Sequence, residues 1–240
     1  MKIAIVGYGK MGKAVEKIAI KRGHEISLKI NQKNQDKLNK KNLSDADVVI
    51  DFSTPNSAKK NILIAIDSST PAISGTTGWI DGHNDVCKYC LKKKSAFLHA
   101  SNFSLGVNLF FELNKNLANL MKTHEQYQID LTEIHHIQKL DAPSGTAITL
   151  AEQIIAENKT KNKWTLNSKK NKEELKINVH RKENIMGIHQ INYNSDIDTI
   201  SIKHEAHSRK GFALGAIVAA EWIQNKKGVF SMHDVLFSTK

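Results

Sequence analysis

Long apolar runs are missing from this 240-residue chain: no stretch approaches the 18 or so uninterrupted hydrophobic residues that a membrane-spanning helix needs. A cleavable signal pattern is missing as well, because MKIAIVGYG runs from the first residue into a strand and a glycine turn. A cytoplasmic protein without a membrane partner is therefore expected. Cysteine is scarce, Cys87 and Cys90 of CKYC being the only two. A zinc set can be imagined from His83, Cys87, Cys90 and His99, but VCKYCLKKK reads as the later part of a surface helix, whereas a redox pair would open a helix just after a strand. No metal and no disulfide are expected. Arginine is also rare, three residues among 35 basic ones, so the net charge of +11 is almost entirely lysine. That lysine is scattered through asparagine-rich stretches at 31–42 and 159–176. Without clustered arginine, the preferred reader of bases and phosphates, no nucleic-acid partner is expected, although a basic surface would draw in an anionic cofactor and substrate.

What is present can fold. With 40% hydrophobic residues the chain has material for one large domain or two small ones. KIAIV (2–6) is a buried-type strand ending in GYGKMG, after which Met11, Val15, Ile18 and Ala19 recur at helical spacing up to Gly23. EISLKI (25–30), DADVVIDFS (45–53) and TPAISGTTG (70–78) read as further strands, with a helix in NSAKKNILIAIDS between the last two. Strands alternating with helices imply an α/β domain with a doubly wound, parallel, Rossmann-type sheet. Beyond residue 103 the pattern changes to a long amphipathic helix (105–124), a strand (YQIDLTEIHH), a helix with Pro143 placed in its first turn, and extended segments at 175–182, 186–194 and 198–207. These suit an antiparallel or mixed sheet in a second α+β domain. We expect residues 1–103, completed by 210–240, as the dinucleotide-binding domain and 104–209 as the substrate and oligomerisation domain. The Lys/Asn stretch at 159–174 is the expected mobile loop.

GYGKMG places Gly7, Gly9 and Gly12 in the spacing where the first glycine makes the turn, the second admits a pyrophosphate to the backbone and the third lets helix and strand pack closely. The match follows a strand and opens a helix, so it predicts a dinucleotide site. An NAD-selective site would carry an acidic residue at the end of the second strand; Asn31 stands there, and Lys33 nearby can attract a 2′-phosphate. NADH, NADPH or both are therefore candidate cofactors. GTTGW (75–79) sits beyond the fourth strand, at the carboxyl edge where ligands of such sheets bind, and ASNFSLG (100–106) falls at the expected domain boundary, where it can line the cleft or merely cross it; on spacing alone each reads equally as a plain connection.

HHIQKLDAPSGTA (135–147) concentrates chemistry. His135, at a strand end, can exchange a proton near neutral pH. Lys139 adds a cation, and Pro143-Ser144-Gly145-Thr146 offers backbone N–H groups at a helix start for a carboxylate or phosphate. Singly, each has an ordinary structural explanation. Together they point to a small anionic substrate.

EIHHIQKLDAPSGTA (133–147) closely resembles the signature of the 4-hydroxy-tetrahydrodipicolinate (dihydrodipicolinate) reductase family of lysine and diaminopimelate biosynthesis. The resemblance extends through GYGKMG, DFSTP (51–55), GTTG, ASNFS and HEAHSRKGFALGA (204–216). It implies NAD(P)H-dependent reduction of (2S,4S)-4-hydroxy-2,3,4,5-tetrahydrodipicolinate to (S)-2,3,4,5-tetrahydrodipicolinate with loss of water, in a homotetramer. It also implies His135 as proton donor or acceptor and Lys139 as proton donor, with His136, Lys139, Gly145 and Thr146 holding the substrate carboxylates. Gly7, Tyr8, Gly9, Lys10, Met11, Gly12, Asn31, Gly75, Thr76, Thr77, Ala100, Ser101, Asn102 and Phe103 would bind the cofactor, and Arg209 and Phe212 would lie near the nicotinamide. Asn31 departs from the acidic residue that many members carry. Two alternatives remain: another two-domain NAD(P)-dependent oxidoreductase of a small amino or dicarboxylic acid, for which GYGKMG would serve equally, and a non-catalytic dinucleotide-sensing or nucleic-acid-binding protein.

Overall fold

A computed structural model describes residues 1–166, 171, 173–208 and 210–238. The chain divides into two compact units, Met1–Leu105 with Lys210–Lys240, and Gly106–Arg209.

The first unit opens with β1 (Lys2–Val6), α1 (Lys10–Lys21) and β2 (Glu25–Ile30), followed after a 3-10 turn at Gln35–Lys37 by α2 (Lys40–Leu43) and β3 (Val48–Asp51). Then come α3 (Pro55–Asp67), β4 (Ala72–Ser74), α4 (Ile80–Lys92) and β5 (Ala96–His99). The second unit holds α5 (Leu105–Met121), whose first residue belongs to the first unit, then β6 (Gln128–His135), α6 (Gly145–Glu157), β7 (Lys163–Thr165), β8 (Glu174–Arg181), β9 (Gly187–Asn194) and β10 (Thr199–Ala206). The chain returns to the first unit with α7 (Lys210–Trp222), β11 (Gly228–Phe230) and α8 (Met232–Phe237).

In the first unit a six-stranded sheet runs in the order β11-β5-β4-β3-β1-β2, every pairing parallel. Both faces of its inner strands are buried, so β1, β3, β4 and β5 are nearly continuous buried runs, whereas the edge strand β2 alternates and exposes Glu25 and Lys29. Successive side chains point to opposite faces. Ile3 and Ile5 pack with Val15 and Ala19 of α1 and Ala216 and Ile217 of α7, whereas Ala4 and Val6 pack with Ile62 and Ala65 of α3 and Val86 of α4. This is the doubly wound parallel sheet expected from the alternation of elements.

The second unit contains a five-stranded mixed sheet in the order β10-β9-β6-β8-β7, antiparallel on the β9 side of β6 and parallel on the β8 side. Leu131, Ile177, Ile191 and Tyr193 pack on one face against Phe110 and Ala118 of α5 and Leu150 and Ile154 of α6. The opposite face is polar: Asn192 and Asn194 both donate to Asp130, at 3.0 and 2.8 Å, and Ser201 donates to Asn192 at 2.8 Å.

Several local expectations change. The strands drawn over 45–53 and 70–78 shorten to Val48–Asp51 and Ala72–Ser74, the flanking residues forming turns and loops. Pro143 is not in the first turn of a helix: Ser144 is the N-cap of α6, its Oγ accepting the Ala147 N–H at 3.2 Å, and Pro143, joined to Ala142 by a cis peptide, precedes the cap. The proline that does open a helix is Pro55 of α3. The stretch 159–174 contains β7, paired in parallel with β8, while residues 167–170 and 172 lie outside the described residues. Among the described residues, no helix is long and apolar enough to cross a membrane.

Candidate active site

In the first unit the carboxyl ends of β1, β2, β4 and β5 carry the predicted nucleotide residues. The turn after β1 is pinned to β2, since the Gly7 and Tyr8 N–H groups both donate to the Ile30 carbonyl, at 3.0 and 2.8 Å. Gly7 takes φ +88°, and a Cβ there would stand 2.1 Å from the Phe52 carbonyl oxygen, so no other residue fits. A Cβ on Gly12 would meet the Gly7 carbonyl oxygen at 2.7 Å, which is how α1 comes close against β1. Gly9 differs: a Cβ would touch nothing within 4 Å, and as N-cap it leaves the first turn of α1 without a side-chain cap. An uncapped helix start under open space fits a pyrophosphate.

The side chains around this turn are mostly committed to the protein. Tyr8 donates its hydroxyl to Glu16, with the Lys29 ammonium 5.3 Å from its ring, and Met11 packs on the core, whereas Lys10 is exposed. Asn31 Oδ1 accepts the Lys33 N–H at 2.8 Å in a local turn, and Asn31 itself stays exposed. Thr76 is buried and Thr77 exposed; the Thr76 hydroxyl donates to Asp51 at 2.6 Å and accepts the Ser53 N–H at 2.9 Å. Phe103 is buried edge-on against Phe52, with 5.8 Å between ring centroids, so only its backbone can meet a ligand. Ala100 and Asn102 are half-buried and Ser101 exposed. Phe212 is a half-buried residue of α7, and Arg209 lies outside the described residues.

Asp51 was not anticipated as a site residue. Its fully buried carboxyl accepts hydrogen bonds from Thr76, Ser74 and Asn61, and burial pushes it above the usual carboxylate range against the pull of those donors. It thereby ties the loop after β3 to the loop after β4. The imagined zinc set does not assemble. Cys87 Sγ is 3.6 Å from His83 Nδ1, but Cys90 points at the Gly228 carbonyl, 3.5 Å away, and burial raises its thiol to about 11.

The titratable cluster lies in the second unit, at the end of β6. His135 is buried and pairs in register with Arg181 of β8, and Glu133 pairs with His189 of β9. The completely buried Glu133 Oε2 accepts the Ser144 N–H at 3.0 Å and lies 3.8 Å from both His135 Nδ1 and His189 Nε2. The two imidazoles meet edge to face, 5.1 Å between centroids. His189 Nε2 is 3.1 Å from the Ser144 hydroxyl, and burial drives this histidine down to about 3, so it is neutral at physiological pH. Burial also lowers His135, against which Glu133 acts in the opposite direction.

The remaining predicted residues surround this cluster. His136 follows directly, its Nδ1 buried without a partner. Lys139 is ion-paired with Asp141 at 2.8 Å and holds that carboxyl below its usual range. Arg181 clamps the connecting loop by donating to the Lys139 carbonyl at 3.2 Å and the Asp141 carbonyl at 2.6 Å. Gly145 opens α6 with nothing within 4 Å of where a Cβ would stand, and Thr146 beside it is half-buried. Thus His135, His136, Lys139, Gly145 and Thr146 gather at one end of the unit. Glu133, Arg181 and His189, which pattern reading passed over, anchor the connecting loop and the Ser144 cap to the sheet. A cavity of about 990 Å³ in the same unit involves none of them, being lined by residues such as Tyr127, Lys161 and Glu174. Glu133, His135 and His189 do place one donor atom each within 4.8 Å of the others. However, the Arg181 guanidinium lies 3.4 Å from one Glu133 oxygen and the Ser144 N–H occupies the other, an environment that disfavours a cation. We read the three as a hydrogen-bonded and electrostatic cluster.

A doubly wound parallel sheet with an uncapped glycine turn, followed by a mixed-sheet unit bearing imidazoles beside a helix start, defines the class of two-domain, Rossmann-type nucleotide-binding oxidoreductases. Within that class, residues 1–103 match the family model described as dihydrodipicolinate reductase, N-terminus, and residues 106–236 match dihydrodipicolinate reductase, C-terminus. The chain belongs to the dihydrodipicolinate reductase family. It is 49% identical over 238 residues to the 4-hydroxy-tetrahydrodipicolinate reductase of Christiangramia forsetii, covering 98% of each chain, and 35% identical over 243 residues to that of Rickettsia rickettsii, covering 95% of each. Its fold is similar to a dipicolinate-bound dihydrodipicolinate reductase from Paenisporosarcina sp. TG-14, with a TM-score of 0.79, 20% identity and 99% of each chain covered.

Proposed function

We propose that this chain is an NAD(P)H-dependent reductase that converts 4-hydroxy-tetrahydrodipicolinate to tetrahydrodipicolinate and water. The observation that carries the reading is the assembly of His135, Lys139 and the open start of α6 at one end of the second unit, in a chain that matches the family over both units. The bound nicotinamide would supply a hydride to C4 of the substrate ring, from which the hydroxyl departs as water. Gly7 to Gly12 would seat the pyrophosphate on α1, while Gly75 to Thr77 and Ala100 to Phe103 would line the remainder through exposed side chains and backbone. Asn31 leaves the ribose end without a carboxylate, so NADPH is accepted alongside NADH.

In the second unit, His136, Gly145 and Thr146 would hold the two carboxylates, with Lys139 turning from Asp141 toward the bound anion. Glu133 Oε2 faces His135 Nδ1, which leaves Nε2 to exchange a proton with the ring; Lys139 is the second proton source. Rigid seating of both carboxylates fixes the ring for transfer, an orientation effect worth several kcal/mol of barrier. The working assembly is proposed to be a cytoplasmic homotetramer, for which light scattering would return about four times the 26.9 kDa chain mass. A coupled assay supplying freshly made hydroxy-tetrahydrodipicolinate and following nicotinamide absorbance with each cofactor tests the activity. Oxidation that depends on this substrate supports it, and its absence with both cofactors overturns it.

A further inference from the structure

We infer that Glu133 is a positioning residue for this reaction, holding His135 ready to carry a proton and tying that imidazole to the start of α6, where the substrate carboxylates are proposed to bind. The inference rests on the reductase reading for the role of His135. Its geometric basis is independent of that reading.

His135 Nδ1 is buried and has no hydrogen-bond partner. The groups that face this ring come from every element around it: Glu133 from β6 itself, His189 and Gly187 from β9, Arg181 from β8, and Lys139 with Asp141 from the loop that follows. His204 of β10 stands behind His189. Two of these groups are cations and two are carboxylates. The Asp141 carboxylate is already paired with Lys139 and largely exposed, so among the described residues only Glu133 can answer a proton on Nδ1 from within the protein. His189 cannot take over, because burial keeps it neutral. Gly187 completes the seat: a Cβ there would come within 3.0 Å of His135 Nε2 and push the ring off Glu133.

The same Glu133 oxygen accepts the Ser144 N–H at 3.0 Å, and Ser144 caps the helix whose first residues are Gly145 and Thr146. One buried carboxylate thus sets the distance between the proton-carrying imidazole and the proposed carboxylate seat. A single hydrogen bond would not require a completely buried carboxylate in contact with two imidazoles and a guanidinium. Burying an anion is costly unless each such neighbour stabilises it.

The test is a histidine-ring NMR titration of the full-length chain, comparing the parent with Glu133→Gln and using His135→Gln to identify the His135 signal, alongside the pH profile of turnover. Glu133→Gln retains shape and a carbonyl acceptor but removes the charge. The His135 titration is expected to fall by about one pH unit, the range typical of losing an opposite charge at this separation. The basic limb of kcat should move down with it, giving roughly tenfold lower turnover near neutrality and recovery as pH is lowered, with KM and NADPH affinity within about twofold of the parent. Glu133→Asp, which keeps the charge, should restore the parent titration to within about half a unit. An unchanged His135 titration in Glu133→Gln, or a loss of turnover equal at every pH, overturns the inference. Should Glu133→Gln fail to fold, the parent decides: with the Glu133 charge 3.8 Å from Nδ1, the neutral His135 ring must carry its proton on Nδ1, read from its ring nitrogen-15 shifts, and a ring protonated on Nε2 overturns the role. A shifted titration in a protein that never reduces hydroxy-tetrahydrodipicolinate supports the coupling and sinks the reductase reading instead.

Discussion

Replacing Gly215 by alanine tests how the proposed cofactor loop 100–103 is held. Gly215 lies inside α7 among the fully buried Ala213, Ala216 and Ile217, and a Cβ on it would stand 1.7 Å from the Phe103 carbonyl oxygen. Ordinary contact begins near 3.4 Å, so helix or loop must retreat by about 1.7 Å. The obstacle is backbone, and the Phe103 side chain is itself anchored in the core, so neither side yields cheaply. Overpacking of this kind costs about 1–3 kcal/mol, and the upper end applies where no side chain can rotate away. Against it stands the gain of up to about 1 kcal/mol that Gly→Ala gives inside a helix. The net is a loss of about 2 kcal/mol, which for a chain of this size lowers the melting temperature by roughly 4–8 °C. Because the displaced segment is the proposed nicotinamide loop, the Kd for NADPH should rise about tenfold, the equivalent of about 1.4 kcal/mol. Differential scanning calorimetry and a fluorescence titration read the two effects. Gly211→Ala in the same helix is the control, since its Cβ would meet only the Ser104 hydroxyl, at 3.5 Å, and it should be neutral or stabilising. A Gly215→Ala protein that melts at or above the parent temperature would show the close approach of α7 to Phe103 to be wrong.

Three further perturbations probe the site. His135→Gln should lower kcat by about 10²–10⁴ with KM changed only a few-fold, the signature of a proton transfer made in the transition state; unaltered turnover would remove His135 from the chemistry. His189, lowered by burial to about 3, binds fewer protons folded than unfolded below its ordinary value near 6.5. Its stabilising contribution is complete above that value and declines by about 1.4 kcal/mol per pH unit as pH falls toward 3, so His189→Gln should flatten denaturant-measured stability between pH 6 and about 4. Equal slopes in parent and variant would contradict the buried neutral imidazole. Asn31→Asp should raise the Kd for NADPH about tenfold while sparing NADH, and equal effects on both would place the 2′-phosphate elsewhere.

The parts of the molecule visible in the sequence are those written locally. KIAIV-GYGKMG carries strand, turn and helix in consecutive residues, and the three glycines act through contacts no more distant than the neighbouring strands. His135, Lys139 and Gly145 likewise fall within a dozen residues. Glu133, Arg181 and His189 form one cluster only because β6 pairs in parallel with β8 and antiparallel with β9 in a particular register, which is a long-range fact that spacing does not encode. Before that register is known, Arg181 is one more basic residue in HRKEN. Asp51 was hidden for the same reason, its donors coming from two separate segments, Asn61 of α3 and the end of β4 at Ser74 and Thr76. Two short strands were lost to length: AFLH, inside the sheet, and GVF, at its edge, are too brief to show periodicity, and β11 exists because it pairs with β5. Pro143 misled because a proline near a helix start is commonly its first residue, whereas here Ser144 supplies the cap.

The central claim is that this chain delivers a hydride to C4 of hydroxy-tetrahydrodipicolinate, and transfer of an isotopic label tests it most directly. With nicotinamide cofactor deuterated at the transferring carbon, mass spectrometry and NMR of the product should find tetrahydrodipicolinate one mass unit heavier, the deuterium at C4 and the hydroxyl gone. Oxidation of the cofactor with no deuterium in the product, or product that keeps its hydroxyl, would contradict the account.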